Sequence, residues 1–421
     1  MGSLWLSSGN SLDQFGEILP TTTPTPSAAM VRYRRRRCII YGAAAVAATC
    51  AASPAAVMTM QSLVKQGAPS LAALTVGLLL YAFSAEGSSV PILLVFFGAQ
   101  TGMNLYVKTV LSQLVLDEDQ GLRGVPIGFL MTAIQQLVAF LAFCCFLAFG
   151  RLVGSPYEVR KLTSTRERVA VLCFSAAFAL NIGLNNFSQT MLSLSVNLII
   201  RSCLPLSTAV AELALGSLAQ RPPLTGLQWA LMLAGVLGTV CVSCVKGAAQ
   251  DVDSAEFSPL GLFCAVLSIC AGALNMVLAG ILGTSIKLNP LDSTFYMAVP
   301  AGLIMILFSF VEHPVHSWQD FPAVTDWAIV QEVLSRYPWA MLPVVTSGVF
   351  AFVYNCLQYA LVQKLSATHA AFAGSFNMAA TIAFSLCLGY EQIPDGWHGR
   401  LFLLAIAGNI AAFTAFNVLR Y

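Results

Sequence analysis

Arg201 stands deep in a long apolar run, Ser195-Val196-Asn197-Leu198-Ile199-Ile200-Arg201-Ser202, with Asn197 four positions earlier. At helical spacing the two share a face. A guanidinium kept among apolar neighbours can grip phosphate or carboxylate oxygens through two parallel hydrogen bonds. The competing reading is packing alone, with the charge paired to Glu212 or to a helix carbonyl. Lys108 repeats the arrangement one turn after Asn104. It lies nearer the end of its run, so snorkelling to the interface is its alternative role. Lys364 closes a third run. Neutral hydrogen-bonding groups accompany these cations inside apolar stretches: Gln135, Gln136, Asn181, Asn185, Asn186, Tyr354, Asn355, Gln358 and Asn377. Each could read a solute's hydroxyls or bridge two helices, a contact worth about 0.6 kcal/mol on average.

What must hold these groups in place follows from composition. The 421 residues are 57% hydrophobic and 10% charged, against roughly 25% charged in a soluble domain. Lipid must solvate part of such a surface. A spanning helix needs about 20 mostly apolar residues, and ten stretches qualify: 90–112, 125–149, 168–188, 190–219, 226–246, 258–283, 291–312, 339–363, 366–389 and 399–420. Two weaker stretches precede them, 38–60 and 70–86, the first interrupted by Pro54. The expected class is an all-α integral membrane protein with ten transmembrane helices and one or two extra N-terminal hydrophobic helices. A charge near the bilayer centre costs roughly 2.5–3.5 kcal/mol on insertion scales, so Arg201 is expected to face a cavity.

Residues 1–30 are rich in Ser, Thr, Pro and Gly, which suggests disorder. Arg32-Tyr33-Arg34-Arg35-Arg36-Arg37 follows, directly before an apolar run. It reads as the n-region of a signal sequence or as a cytosolic anchor flank. The expected organisation is a basic tail over 1–37, a hydrophobic extension over 38–89, and two halves over 90–250 and 251–421. The net charge of +2 says nothing about nucleic acid, and no nucleic-acid partner is expected. Charge placement is more informative. Arg151, Arg160, Lys161, Arg166, Arg168, Arg221, Lys287, Lys364 and Arg420 fall on one set of connections, while Asp117, Glu118, Asp119, Asp251, Asp253, Glu312, Asp326 and Glu391 fall on the other. The positive-inside rule makes the first set cytosolic. A faint internal duplication relates Asn186-Phe187-Ser188-Gln189 and Leu194-Ser195 to Asn355-Cys356-Leu357-Gln358 and Leu365-Ser366. With five spans per half the repeats are inverted, an architecture of transporters with a site near the midplane.

Other chemistries find little support. The chain has no P-loop, nucleophile elbow or HExxH, and neither an enzymatic activity nor a cofactor is expected. Cys241-Val242-Ser243-Cys244 lies in an apolar run and reads as helix packing rather than a metal pair. His313 and His316 share a connection without an evident third ligand, so no metal is expected. Trp318 and Trp327 read as interfacial anchors. His369 reads as a helix-start or cavity residue, and the sequon at Asn186 lies too near a span end for modification.

Asn104-Leu105-Tyr106-Val107-Lys108, Pro126 to Gln136, Asn186 through Arg201, Leu291 to Pro300, and Tyr354-Asn355-Cys356-Leu357-Gln358-Tyr359 followed by Leu365 to Gly374 occur in this order over residues 90–420. Together they resemble the nucleotide-sugar and triose-phosphate transporter families of the drug/metabolite transporter superfamily. One departure stands out. Where the family often carries a Lys in its ninth span, this chain reads Gly374-Ser375-Phe376-Asn377-Met378-Ala379-Ala380-Thr381. The resemblance implies an antiporter of a phosphorylated anionic metabolite, a nucleotide sugar or sugar phosphate exchanged for nucleoside monophosphate or phosphate. It implies a small phosphorylated substrate as partner beside the lipid bilayer, a possible homodimer, and a Golgi or ER membrane, with a plastid envelope as the alternative. The substrate-binding set it points to is Arg201, Lys108, Asn104, Asn197, Asn186, Tyr354, Asn355, Gln358, Asn377 and Lys364. Two rival functions remain: a proton-coupled exporter, which would want a midplane carboxylate such as Glu212, and a non-transporting scaffold or receptor.

Overall fold

A computed structural model describes residues 90–117, 122–154, 156–192, 200–215, 224–249, 259–313, 324–387 and 396–419, with 74, 75, 77, 79, 197 and 393 besides. The expected basic tail and the stretch 38–60 lie outside these residues, as does all but the helical 74, 75, 77 and 79 of the stretch 70–86. Two compact units divide the chain, 1–50 and 51–421, and everything described belongs to the second.

That unit is a helical, multi-pass membrane assembly. In chain order it comprises α1 (Val90–Lys108), α2 (Gly128–Leu152), α3 (Thr165–Met191), α4 (Leu204–Ala214), α5 (Gly226–Ala249), α6 (Pro259–Thr284), α7 (Pro290–Phe308), α8 (Asp326–Arg336), α9 (Met341–Lys364), α10 (Ala367–Cys387) and α11 (Trp397–Val418). Among the described residues six helices are long and apolar enough to cross a membrane: α2, α3, α6, α7, α9 with its preceding turn, and α11. Leu204–Ala214 and Gly226–Val242 are shorter apolar helices. The outward faces carry Leu137, Leu141, Phe149, Leu237, Phe263, Leu307 and Leu404, all exposed. Polar side chains go inside instead: Gln135, Gln136, Asn185, Asn186, Asn275, Asn355 and Asn409 are buried. Lipid solvates Leu as well as a protein core does, so the interior is free to keep the amides.

Local signals explain the helix starts. Ser164 and Glu167 cap α3 reciprocally, the Glu167 N–H donating to Ser164 Oγ at 3.2 Å and the Ser164 N–H to Glu167 Oε2 at 3.4 Å. Asn289 Oδ1 accepts the Asp292 N–H at 2.8 Å to open α7, and Pro290 stands in its first turn. Gly128 is required for close packing, because a Cβ there would lie 2.9 Å from the Phe187 backbone nitrogen.

The helices touch in a specific pattern. α3 packs along α6, α5 along α11, and α2 along both α7 and α9. α3 also meets α7, α1 meets α9, α4 meets α6 and α10, and α1 meets α10.

Three expectations need correction. The all-α reading misses a two-stranded antiparallel hairpin, β1 (Val115–Asp117) and β2 (Leu122–Arg123). It follows a π-helical turn over Thr109–Gln113, and its β1 residue Leu116 is buried. The connection after α7 contains a helix, α8, with Ile329, Val330 and Val333 buried and Trp327 exposed; eleven residues are too short to register as a span. The fourth expected span, 190–219, is broken. α3 runs on to Met191, Leu192 is extended, and a turn at Ser202-Cys203 precedes α4. Pro205, in the first turn of α4, lacks the N–H that a continuous helix would use.

Candidate functional site

Arg201 occupies this break. It is the helical residue just before the Ser202-Cys203 turn, and it is half-buried. The Cys203 N–H donates to Ile200 O at 3.1 Å and the Ser207 N–H to Cys203 O at 3.0 Å, which ties the turn to its flanks. The guanidinium lies within electrostatic reach of Tyr354 on α9. Tyr354 stacks on Phe96 of α1, ring centroids 5.9 Å apart and planes at 17°. Arg201 thus lies near the α1–α9 seam that the Phe96–Tyr354 stack marks.

Glu212 does not neutralise it. That carboxylate accepts from the backbone N–H of Thr368 at 3.3 Å and from its hydroxyl, at the start of α10. No salt bridge to Arg201 is present among the described residues. A guanidinium without an ion pair carries a desolvation cost that a nearby opposite charge would offset.

Other residues singled out in the sequence differ in how far their side chains are engaged by neighbouring helices. Asn355 is buried, and its Nδ2 has no hydrogen-bond partner among the described residues. It follows Tyr354 directly and precedes Cys356, whose thiol reaches Thr294 Oγ1 on α7 at 3.6 Å. Asn104 is exposed in the last turns of α1. Asn197 donates to Ser188 Oγ at 3.1 Å and so fastens the broken span to α3. Asn186 donates to Thr132 Oγ1 on α2 at 2.9 Å. Asn377 donates to Phe97 O, Gln100 Oε1 and Thr101 Oγ1 at 3.2, 3.1 and 2.9 Å, clasping α10 to α1. Gln358 points at Met276 Sδ, 3.2 Å away.

The cations do not converge. Lys364 is exposed at the end of α9, ten positions beyond Tyr354, roughly 15 Å at the helical rise. Lys108 ends α1, and its side chain lies outside the described residues. α1 and α9 run antiparallel, with Tyr106 OH donating to Pro343 O at 3.0 Å near one end and Phe96 meeting Tyr354 further along. Lys108 and Lys364 thus terminate opposite ends of this pair.

Four polar contacts carry no mark in the sequence. Ser188 and Thr132 receive the two asparagine bonds. His313, set aside above as an incomplete metal site, is buried against Asp326, Nε2 to Oδ1 at 2.6 Å. Tyr157 OH donates to Asp292 Oδ1 at 2.9 Å. Burial pushes the Tyr157 phenol up to about 12, so it keeps its proton at neutral pH and donates. The only usable hint was that Asp292 and Asp326 stand in first turns just after helix-start signals, Asn289-Pro290 and Thr325. His316 and Trp318 lie outside the described residues. Cys241 and Cys244 are free thiols, and among the described residues no group of His, Cys, Asp and Glu is arranged to hold a metal.

No protein-family model matches the sequence, and no curated protein matches it. The chain is similar to a solved structure titled only as the crystal structure of a protein, with a TM-score of 0.45 and 13% identity, covering 77% of this chain and 96% of that one.

Proposed function

We propose that the chain is a ten-span carrier of two inverted five-helix halves, exchanging a phosphorylated anionic metabolite across an internal membrane. One observation carries the reading: Arg201, at the break in its span, faces Tyr354 and has no ion pair among the described residues. Broken helices whose ends point at a substrate near the midplane are how carriers of inverted-repeat architecture build sites without exposing backbone to lipid.

The pattern of helix contacts supports the repeat. Exchange α1 for α6, α2 for α7, α3 for α9, α4 for α10 and α5 for α11. The α3–α6 contact then becomes α9–α1, α2–α9 becomes α7–α3, and α4–α6 becomes α10–α1, all of which occur. The contacts α2–α7, α4–α10 and α5–α11 map onto themselves. Five spans per half require the halves to be inverted. The weak duplication around Asn186 and Asn355 falls on α3 and α9, the pair this operation exchanges.

In the mechanism, the substrate phosphate pairs with Arg201 while the Tyr354 hydroxyl and the free amide of Asn355 read neighbouring oxygens. An empty site leaves the guanidinium uncompensated, so the empty carrier crosses slowly and exchange outruns net flux. A nucleotide sugar returned for nucleoside monophosphate, at a Golgi or ER membrane, fits this charge logic. A proton-coupled exporter is less well supported, because its best carboxylate, Glu212, is engaged by Thr368.

The test is counter-exchange in proteoliposomes preloaded with nucleoside monophosphate or inorganic phosphate and offered labelled nucleotide sugars and sugar phosphates. Arg201→Ala is expected to abolish exchange with insertion intact. Near-wild-type exchange by that variant would overturn the reading.

A further inference from the structure

Two dehydrated carboxylates lie at opposite ends of α2, and neither has a place in the substrate binding proposed above. At the end where α2 begins stands Asp326, the first residue of α8 in the connection between α7 and α9. Its side chain is 0% exposed. Oδ2 accepts the N–H groups of Phe129 and Leu130, each at 2.8 Å. These are orphan donors at a helix N-terminus, where a negative charge is also favoured by the helix dipole. Oδ1 holds His313 Nε2 at 2.6 Å. The His313 backbone is bridged to Val324 in both directions at 3.1 Å, and its ring meets Phe187, which stacks on Phe129. The connection of the second half is thereby seated on the first turn of a helix in the first half.

At the other end the arrangement is repeated with the halves exchanged. Asp292, 1% exposed, lies in the first turn of α7. It accepts Tyr157 OH at 2.9 Å and the Arg160 N–H at 3.3 Å, both from the connection between α2 and α3. Tyr296 OH donates to Arg160 O at 2.7 Å, Asn289 Nδ2 donates to Tyr157 OH at 2.5 Å, and the Arg160 guanidinium reaches the Ile286 carbonyl and Glu167. The connection of the first half is thereby seated on the first turn of a helix in the second half. The two ends are related by the same exchange of α2 with α7 that relates the helix contacts.

We propose that Asp326 with His313, and Asp292 with Tyr157 and Arg160, are a matched pair of latches that close the two ends of the bundle and are released alternately during the transport cycle. The proposal rests on the carrier reading above, since halves stapled at both ends cannot rock. Each latch is a small set of discrete hydrogen bonds to backbone N–H, imidazole or hydroxyl groups. Such bonds can be exchanged for water as a unit when an end opens, whereas a packed apolar seam would have to be pulled apart.

The test is deuterium uptake by the full chain in nanodiscs, without solute, read over residues 128–134 and 156–163. Asp326→Asn is expected to speed exchange at 128–134 by at least about threefold and to slow it at 156–163. Asp292→Asn is expected to do the reverse. Tyr157→Phe and His313→Gln leave both carboxylates in place and are expected to give the same directions more weakly, which keeps the test usable should an Asn variant fail to fold. Faster exchange confined to the altered end, with the opposite end unchanged, would make the latches static staples and overturn the proposal. The readout needs no substrate. A reciprocal response in a chain that carries no solute would uphold the latches while removing the carrier reading; transport without a reciprocal response would do the opposite.

Discussion

At the residue scale, the distinction that matters is between polar side chains already satisfied and those left free. Among the described residues Asn377 donates to Phe97, Gln100 and Thr101, and Asn197 to Ser188. Arg201 has only the electrostatic partner Tyr354 among the described residues. Replacing Arg201 with Lys keeps the charge and removes the fork. Loss of a charge-assisted hydrogen bond is worth about 1.5–3 kcal/mol, so apparent substrate affinity should fall roughly ten- to hundredfold while some exchange survives. Tyr354→Phe keeps the ring stacked on Phe96 and deletes the hydroxyl. It should raise KM several-fold with turnover nearly unchanged, and its effect should shrink in the Arg201→Lys background if both groups grip the same phosphate. A double-mutant cycle on KM checks this. The apolar setting of Arg201 was legible from its neighbours in the chain. Its freedom from Glu212 was not, because that depends on where Thr368 comes to lie.

At the element scale, helix lengths and starts follow from local sequence, and close approaches follow from glycine. α2 and α3 meet at Gly128, where a Cβ would lie 2.9 Å from backbone rather than from a side chain able to turn aside. Gly128→Ala should therefore destabilise by about 1–3 kcal/mol, the usual cost of overpacking. Gly280→Ala, whose Cβ would lie 3.8 Å from Val362 Cγ1, should be close to neutral. Thermal unfolding of the two variants in detergent checks the contrast. The break between α3 and α4 has a similar local cause in Pro205. An apolar run of 30 residues conceals it, since hydropathy averages over the turn. α8 escaped notice for the opposite reason: its buried apolar residues are only Ile329, Val330 and Val333.

At the scale of the whole molecule, the proposed arrangement makes a topological statement. If basic connections face the cytosol, a glycosylation acceptor inserted in the acidic stretch 251–256 should be modified in microsomes, and one inserted after Leu152 should not. The opposite pattern would invert the assignment of both ends. α5 and α11 lie together at the edge of the contact pattern, held by Asn409 Nδ2 donating to Gly235 O at 2.7 Å and Thr239 Oγ1 at 2.8 Å. Asn409→Leu should cost on the order of 0.6 kcal/mol, the average for an interhelical hydrogen bond in a membrane, seen as a small drop in unfolding temperature with exchange retained.

From the sequence alone come the membrane environment, the positions of most helices, and the burial of Arg201 in an apolar run. These are properties of contiguous stretches, and hydropathy and charge report them directly. Tertiary structure decides which polar groups meet. Ser188 joins Asn197, Asp326 reaches across 197 positions to Phe129, and Thr368 occupies Glu212. A hydrogen bond depends on a separation of about 3 Å between atoms whose distance along the chain carries no information, so only the folded bundle reveals which side chains are spent holding helices together and which remain to hold something else.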